Sequence, residues 1–308
     1  MPKTAPEPVR LAPHARLLAP VMASSGGSGR SVVAALMADA LASHGTTVVL
    51  DTLPRLSSPW SGWTTSPGAG LASIPPDQPV YAGHVRAAAG SGPASGTWSW
   101  QVMTDHRRWD TAPLPLPDAP EAWYQLAAIG GWQAVVVDTG HHAAHDIVSS
   151  RHAGQAGISA RWCSLPYAVP VLCAPATSDG VAALQTAVMA AEADGMPLQR
   201  TIVALVGVGE GRWPAPVKAA ATMLDPKVGA LIQVPYDPWI RAHGLRDAAR
   251  LKPRTRTAGR DLVRAALSLA HTTWGEPLPP AAVPAPLLEG TPSRGRPAQS
   301  AAVAAIPR

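Results

Sequence analysis

Apolar residues fall along this chain in short unbroken runs separated by helix-length stretches of mixed polarity. Residues 16–23 read as a strand that leads through a Ser/Gly loop into a helix over 31–44. Residues 46–51 form a β-branched strand ending in Asp51, 98–104 are a further strand candidate, and the nearly all-apolar 133–138 ends in Asp138. Runs at 169–174, 201–206 and 230–234 predict three more strands, and 120–129, 178–193, 214–224 and 260–271 predict helices. Strands apolar on both faces are buried on both, and strands alternating with helices imply crossover connections and a parallel sheet. The pattern predicts an α/β fold: one doubly wound domain over residues 15–275, with a mostly parallel sheet flanked by helices. Residues 54–116, dense in Gly, Pro, Ser and Trp, form an irregular excursion containing a strand or two. Residues 1–14 and 276–308, broken by Pro and without period, predict disordered tails. Pro20 lacks the N–H that a central strand donates, which predicts a short or bulged strand there.

Composition narrows the class. No apolar run approaches the ~20 residues of a membrane-spanning helix, and the first 16 residues carry no continuous apolar signal segment. Cys163 and Cys173 are too few for a disulfide framework or a four-ligand zinc site. These features predict a cytoplasmic protein. The net charge of +5 is unevenly placed. Arg241, Arg246, Arg250, Lys252, Arg254, Arg256, Arg260 and Arg264 stand against only Asp247 and Asp261, so that window carries +6 and the remainder −1. A concentrated basic stretch suits nucleic acid or another anionic surface, and equally a solvated face.

The segment Ser24-Ser25-Gly26-Gly27-Ser28-Gly29-Arg30-Ser31 lies where a strand ends and a helix begins. Glycines let backbone N–H groups turn inward there, and the helix start adds partial positive charge, so the loop suits a phosphate. The same residues also suit an ordinary tight strand-to-helix turn. G-x-x-x-x-G-K-[ST] is not met strictly, because Ser24 replaces the first Gly and Arg30 the Lys. Asp138 fits a metal-side carboxylate, or a cap for the helix that follows.

The order of the Gly loop, the strands ending in Asp51 and in Asp138-Thr139-Gly140, the run Ala174-Pro175-Ala176-Thr177, and the turn Pro235-Tyr236-Asp237-Pro238 resembles the ParA/MinD family of P-loop ATPases over most of residues 16–250. The resemblance implies a nucleotide-binding protein for positioning, partition or assembly of cellular cargo, with ATP or ADP and Mg²⁺ as cofactors. Gly26, Gly27, Ser28, Gly29, Arg30, Ser31 and Val32 at the helix start would hold phosphates. Ser31 would ligate Mg²⁺, Asp138 would hold the metal through water, and Pro235 and Asp237 would border the nucleotide. Implied partners are a second copy of the chain, DNA contacted without sequence preference through the basic window, and an unidentified protein.

Departures from the family pattern bear on activity. Ser25 stands at the family's signature lysine, and Arg30 at the lysine that meets the β- and γ-phosphates. The family's Asp-x-Asp-Pro is here Asp51-Thr52-Leu53-Pro54, so Asp51 keeps a candidate catalytic position while Leu53 can neither orient water nor accept a proton. The strand near 203–209 lacks the Asn that relatives use for base recognition. Together these predict weak or absent hydrolysis. The alternatives are an adaptor that has lost nucleotide binding and an active Mg-ATPase using Arg30 as its P-loop cation.

Three further groupings were weighed. His141, His142, His145 and Asp146 would bring His141 and His145 to one helical face, a metal-ligand spacing or simply a polar loop. Trp60, Trp63, Trp98, Trp100 and Trp109, near Arg107 and Arg108, could stack on bases, but they more readily supply core bulk in a chain without Phe. The spacings Arg246–Arg250 and Arg260–Arg264 place each pair on one face if both segments are helical.

Overall fold

The structure is a computed structural model that describes residues 10–75 and 79–282. Its elements run β1 (Leu17–Ala23), α1 (Arg30–Leu41), β2 (Thr47–Asp51), α2 (Trp60–Trp63), α3 (Ala82–Ala88), β3 (Gly90–Ser91), β4 (Gln101–Met103) and α4 (Pro120–Gly130). They continue through β5 (Ala134–His142), α5 (Ala143–His152), α6 (Ile158–Ser164), β6 (Val171–Pro175), α7 (Ser178–Ala193), β7 (Ile202–Val206), α8 (Ala215–Leu224), β8 (Ala230–Val234), α9 (Pro238–His243) and α10 (Pro253–Trp274). Eight strands form one sheet in the order β3-β4-β2-β5-β1-β6-β7-β8. Every pairing is parallel except β3 with β4.

Alternate strand residues feed opposite layers, the period-two consequence of the pleat. Leu17, Ala19 and Val21 of β1 join a core with α1 and α10, whereas Leu18 and Met22 face the cores under α3 to α8. Both faces of the sheet are therefore dry, as its uninterrupted apolar runs require. At Gly259 of α10 an added Cβ would lie 2.8 Å from the Leu36 carbonyl oxygen, so the two helices of that layer meet backbone to backbone.

Pro20 sits inside β1 without shortening it. Leu18 donates to Tyr167 and accepts from Val169, which puts the nitrogens of Leu18 and Pro20 on the β6 side. Regular β1–β6 pairing begins only at Val21, so the missing N–H falls before the ladder closes. A register shift between Val21 and Ala23 on the β5 side supplies the irregularity the proline suggested, one residue later.

Several boundaries differ from the pattern-based reading. β5 continues past Asp138 to His142 because Thr139 Oγ1 donates to the Val21 carbonyl (2.9 Å) and the ladder extends to Ala23 opposite His142. Helix α10 starts at Pro253, whose fixed φ suits a first helical position, well before Arg260. Helices α5 and α6 were not expected. The inner ends of the expected tails are packed: Leu11 and Leu278 are buried, Leu11 N–H bonds the His44 carbonyl, and Ala281 N–H bonds that of His14. Residues 1–9 and 283–308 lie outside the described residues.

Candidate functional site

Parallel strands point their C-terminal ends the same way, and β1 lies between β5 and β6, where the chain turns to opposite halves of the sheet. Ligand crevices in open α/β sheets form at that switch point. A hollow of about 390 Å³ opens there, lined by residues 25–32, Leu53, Ser57, Pro59, Trp63, Gly140 and His142.

The loop wall is made of backbone. Gly27 (φ 68°) and Gly29 (φ 73°) occupy the left-handed region, where a side chain is strained. A Cβ on Gly29 would also stand 2.8 Å from Val206 Cγ1, so this glycine is required twice. No backbone N–H of residues 25–28 donates to a backbone carbonyl among the described residues. The first turn of α1 adds further N–H groups that helix geometry leaves unpaired. Gly26, Gly27, Ser28, Gly29 and Ser31, the residues expected to meet an anion, line this hollow together with Ser25, Arg30 and Val32.

The side-chain wall is different. Asp138 is completely buried, and both of its oxygens are engaged. Arg30 Nε donates to Oδ1 and Trp60 Nε1 to Oδ2, each at 2.8 Å. Arg30 Nη1 reaches the His141 carbonyl at 3.5 Å. Burial pushes the Asp138 carboxyl above the usual carboxylate range, opposed by the Arg30 charge and by the Ser31, Trp60 and Arg30 hydrogen bonds. The expectation that Arg30 addresses phosphate therefore needs correction: its guanidinium is spent on the neighbouring strand's carboxylate.

A Mg²⁺ site needs carboxylate and hydroxyl oxygens free to meet the ion or its waters. Here a permanent cation lies 2.8 Å from the carboxylate, where a dication would meet like charge. As arranged, these residues do not fit the metal.

Asp51 pairs with Asp138 in register across β2 and β5. Its Oδ1 accepts from Leu53 N–H (3.1 Å), and its Oδ2 from Ser58 Oγ (2.6 Å) and Thr104 Oγ1 (2.5 Å). Burial raises its pKa from 3.8 to about 7, against the Ser58 and Thr104 hydrogen bonds and with help from the Asp138 charge. The side chain is 2 % exposed and does not line the hollow, so a catalytic part for Asp51 is not supported by its placement.

Residues 57–63 form a strap across this side. Ser58 Oγ accepts from Trp60 N–H (3.1 Å), linking Asp51 through Ser58 to Trp60 and so to Asp138. Trp60 packs edge-on against Trp63 (5.5 Å) and Trp100 (6.1 Å), and Arg246 Nε holds the Gly62 carbonyl at 2.9 Å. Trp60 and Trp100 thus supply core bulk, as expected, while Trp98 and Trp109 stay exposed. The indole N–H of Trp60 on Asp138 was not foreseen: composition flags the tryptophans, but nothing in the spacing brings Trp60 back to β5.

A second hollow of about 230 Å³ shares Gly27, Gly29 and Val32 and extends over Val206, Gly207, Val208, Pro235, Tyr236, Ile240 and Arg241. Asp237 borders it, but its carboxylate caps α9 through Trp239 N–H (3.0 Å) and takes Lys252 N–H (2.9 Å) and Thr255 Oγ1 (2.7 Å). Burial would raise its pKa, but those hydrogen bonds outweigh it and hold the carboxyl low. It anchors α9 to α10 rather than addressing a ligand.

The histidine grouping does not assemble. His141 ends up in β5 and His145 in α5, so no helix presents both. His141 Nε2 contacts Ser159 Oγ at 2.9 Å, and burial, with Arg30 and His142 nearby, lowers its pKa to about 4 against the pull of Asp146. The basic window is not one helical face either. Arg246 and Arg250 lie after α9 ends at His243, outside any α-helix. Arg250 pairs with Asp247 and stacks on Trp239, Lys252 pairs with Glu210, Arg254 bonds the Tyr236 carbonyl, and Arg264 pairs with Asp261. Arg256 and Arg260, one turn apart on α10, line a hollow of about 210 Å³ with Trp98.

No protein-family model matches the sequence, and no curated protein matches it. Solved structures do. The cell division ATPase MinD of Pyrococcus furiosus superposes with a TM-score of 0.52 at 16% identity, covering 82% of this chain and 99% of that one. A ParA family ATPase from Chlorobium tepidum gives 0.50 at 13% identity over 82% and 98%, and the MinD cell division protein of Aquifex aeolicus 0.50 at 12% over 85% and 98%. The chain thus shares a doubly wound α/β architecture with these structures. More narrowly, its fold is ParA/MinD-like. At these identities the likeness is one of fold. No helix among the described residues is long and apolar enough to cross a membrane.

Proposed function

We propose that this is a nucleotide-binding protein of the ParA/MinD fold, serving the positioning, partition or assembly of cargo, with weak or absent ATP hydrolysis. One observation supports the reading: the glycine loop lines an open hollow, while both oxygens of Asp138, the expected metal-side carboxylate, are held by Arg30 and Trp60. Anion binding at such a loop relies on N–H groups and the helix start, which need no particular side chain. Hydrolysis needs a positioned water and stabilisation of transferred charge. Leu53 offers neither, and Arg30, although it lines the hollow, has its Nε committed to Asp138. The folded relatives named above are ATPases, which supports nucleotide as the ligand class. Two free, buried thiols are in keeping with a cytoplasmic location.

Two measurements on the purified chain test this. ADP and ATP should raise the melting temperature, because a ligand bound only by the folded state stabilises it. Phosphate release from ATP should be no faster than for Asp138→Ala. Absence of any melting shift would leave only the adaptor reading. A second copy and DNA remain candidate partners; for DNA, Arg256 and Arg260 beside Trp98 are the residues whose placement supports contact.

A further inference from the structure

The Arg30–Asp138 pair has a consequence for the ligand itself. A bound polyphosphate and a divalent ion ordinarily share charge, with protein oxygens completing the ion's coordination. In this chain both carboxylate oxygens of Asp138, which would face the ion, are tied to Arg30 and to Trp60. Trp60 cannot withdraw alone. Its N–H bonds Ser58, Ser58 bonds Asp51, and its ring sits fully buried between Trp63 and Trp100. Arg30 is also held: its side chain is 14 % exposed, and its guanidinium also reaches the His141 carbonyl. The cradle, by contrast, is backbone and remains open.

We propose that the site takes the polyphosphate of a nucleotide free of metal, with Arg30 standing as the built-in cation that neutralises Asp138 in place of Mg²⁺. This deepens the reading given above, since it rests on nucleotide binding at the same loop. Binding then depends on amide hydrogen bonds and the α1 dipole, and Mg²⁺ contributes nothing from the protein side. Sequestering free nucleotide as its Mg²⁺ complex can only weaken binding.

The test is calorimetric titration of the full chain with ADP and with ATP, in excess Mg²⁺ and in EDTA, followed by the same titrations on Trp60→Phe and on Arg30→Lys/Trp60→Phe. Phenylalanine keeps an aromatic ring at the position but removes the indole N–H along with part of the bicyclic ring system, and each variant's melting curve reports whether it is folded. In the unmodified protein, affinity in EDTA should equal or exceed that in Mg²⁺. In the double variant, freed Asp138 oxygens should let Mg²⁺ tighten binding by about tenfold or more. Tightening of that size in the unmodified protein overturns the metal-free site but leaves the nucleotide-binding reading standing. No binding in either buffer overturns both. Metal-independence that persists in a folded double variant shows that Arg30 and Trp60 are not its cause, and the proposed role for the pair falls.

Discussion

The two walls of the hollow were built by different means, and they have fared differently. The loop wall, residues 25–32, works through backbone conformation: two glycines at positive φ and the start of α1. The opposite wall, from β2, β5 and the strap over residues 57–63, works through side chains, and there the polar groups bond each other. A backbone site tolerates any sequence that keeps its glycines. A side-chain site depends on what each neighbour bonds, and here Arg30 and Trp60 hold both oxygens of Asp138.

The contrast can be broken most strongly at the ion pair. Arg30→Met leaves Asp138 buried without its counter-charge, and removing one partner of such a pair costs about 3–5 kcal/mol. Chemical denaturation should show that loss at neutral pH, and Asp138→Asn in the same chain should recover much of it. Full stability in Arg30→Met alone would mean the pair is not a structural element.

Asp51 gives the next largest effect, read through pH. Its folded pKa of about 7 lies above the ordinary 3.8, so the folded state holds a proton that the unfolded chain releases. The stability this contributes is complete below about pH 4 and declines as pH rises toward 7, by up to about 1.4 kcal/mol per pH unit. Above that range it levels off. Asp51→Asn should flatten this part of the stability profile, and an unchanged slope would place the titration elsewhere.

On the loop wall, Gly29→Ala forces a Cβ into the left-handed region and toward Val206. About 1–3 kcal/mol of stability should be lost, along with the nucleotide-induced melting shift. Gly26→Ala, where an added Cβ meets nothing within 4 Å, should lose far less. Trp60→Phe, which removes one hydrogen bond to a charged group, should cost about 1.5–3 kcal/mol, comparable to Gly29→Ala and more than Gly26→Ala.

The sequence made the cradle and the two aspartate-ended strands readable because each depends on local order: a strand, a glycine loop, a helix start. Ser178–Ala193 and Ala230–Val234 were placed to the residue for the same reason, since their apolar period is uninterrupted. The closed wall was less accessible. Asp138 meets Arg30 across 108 positions and Trp60 across 78, and no local pattern encodes such contacts. The basic window was legible in part. Arg260 and Arg264 share α10 as their spacing implied, but α9 ends before Arg246, so Arg246 and Arg250 share no α-helical face.

The division between an intact binding wall and a closed catalytic one is tested most directly by a single-turnover experiment. Labelled ATP is mixed with protein in excess, and bound nucleotide and released phosphate are followed in the same sample. Nucleotide held on the protein and recovered as ATP is the predicted result. Conversion of the bound ATP to ADP and phosphate, abolished by Asp138→Ala, would show that the carboxylate is free to act and would contradict the account.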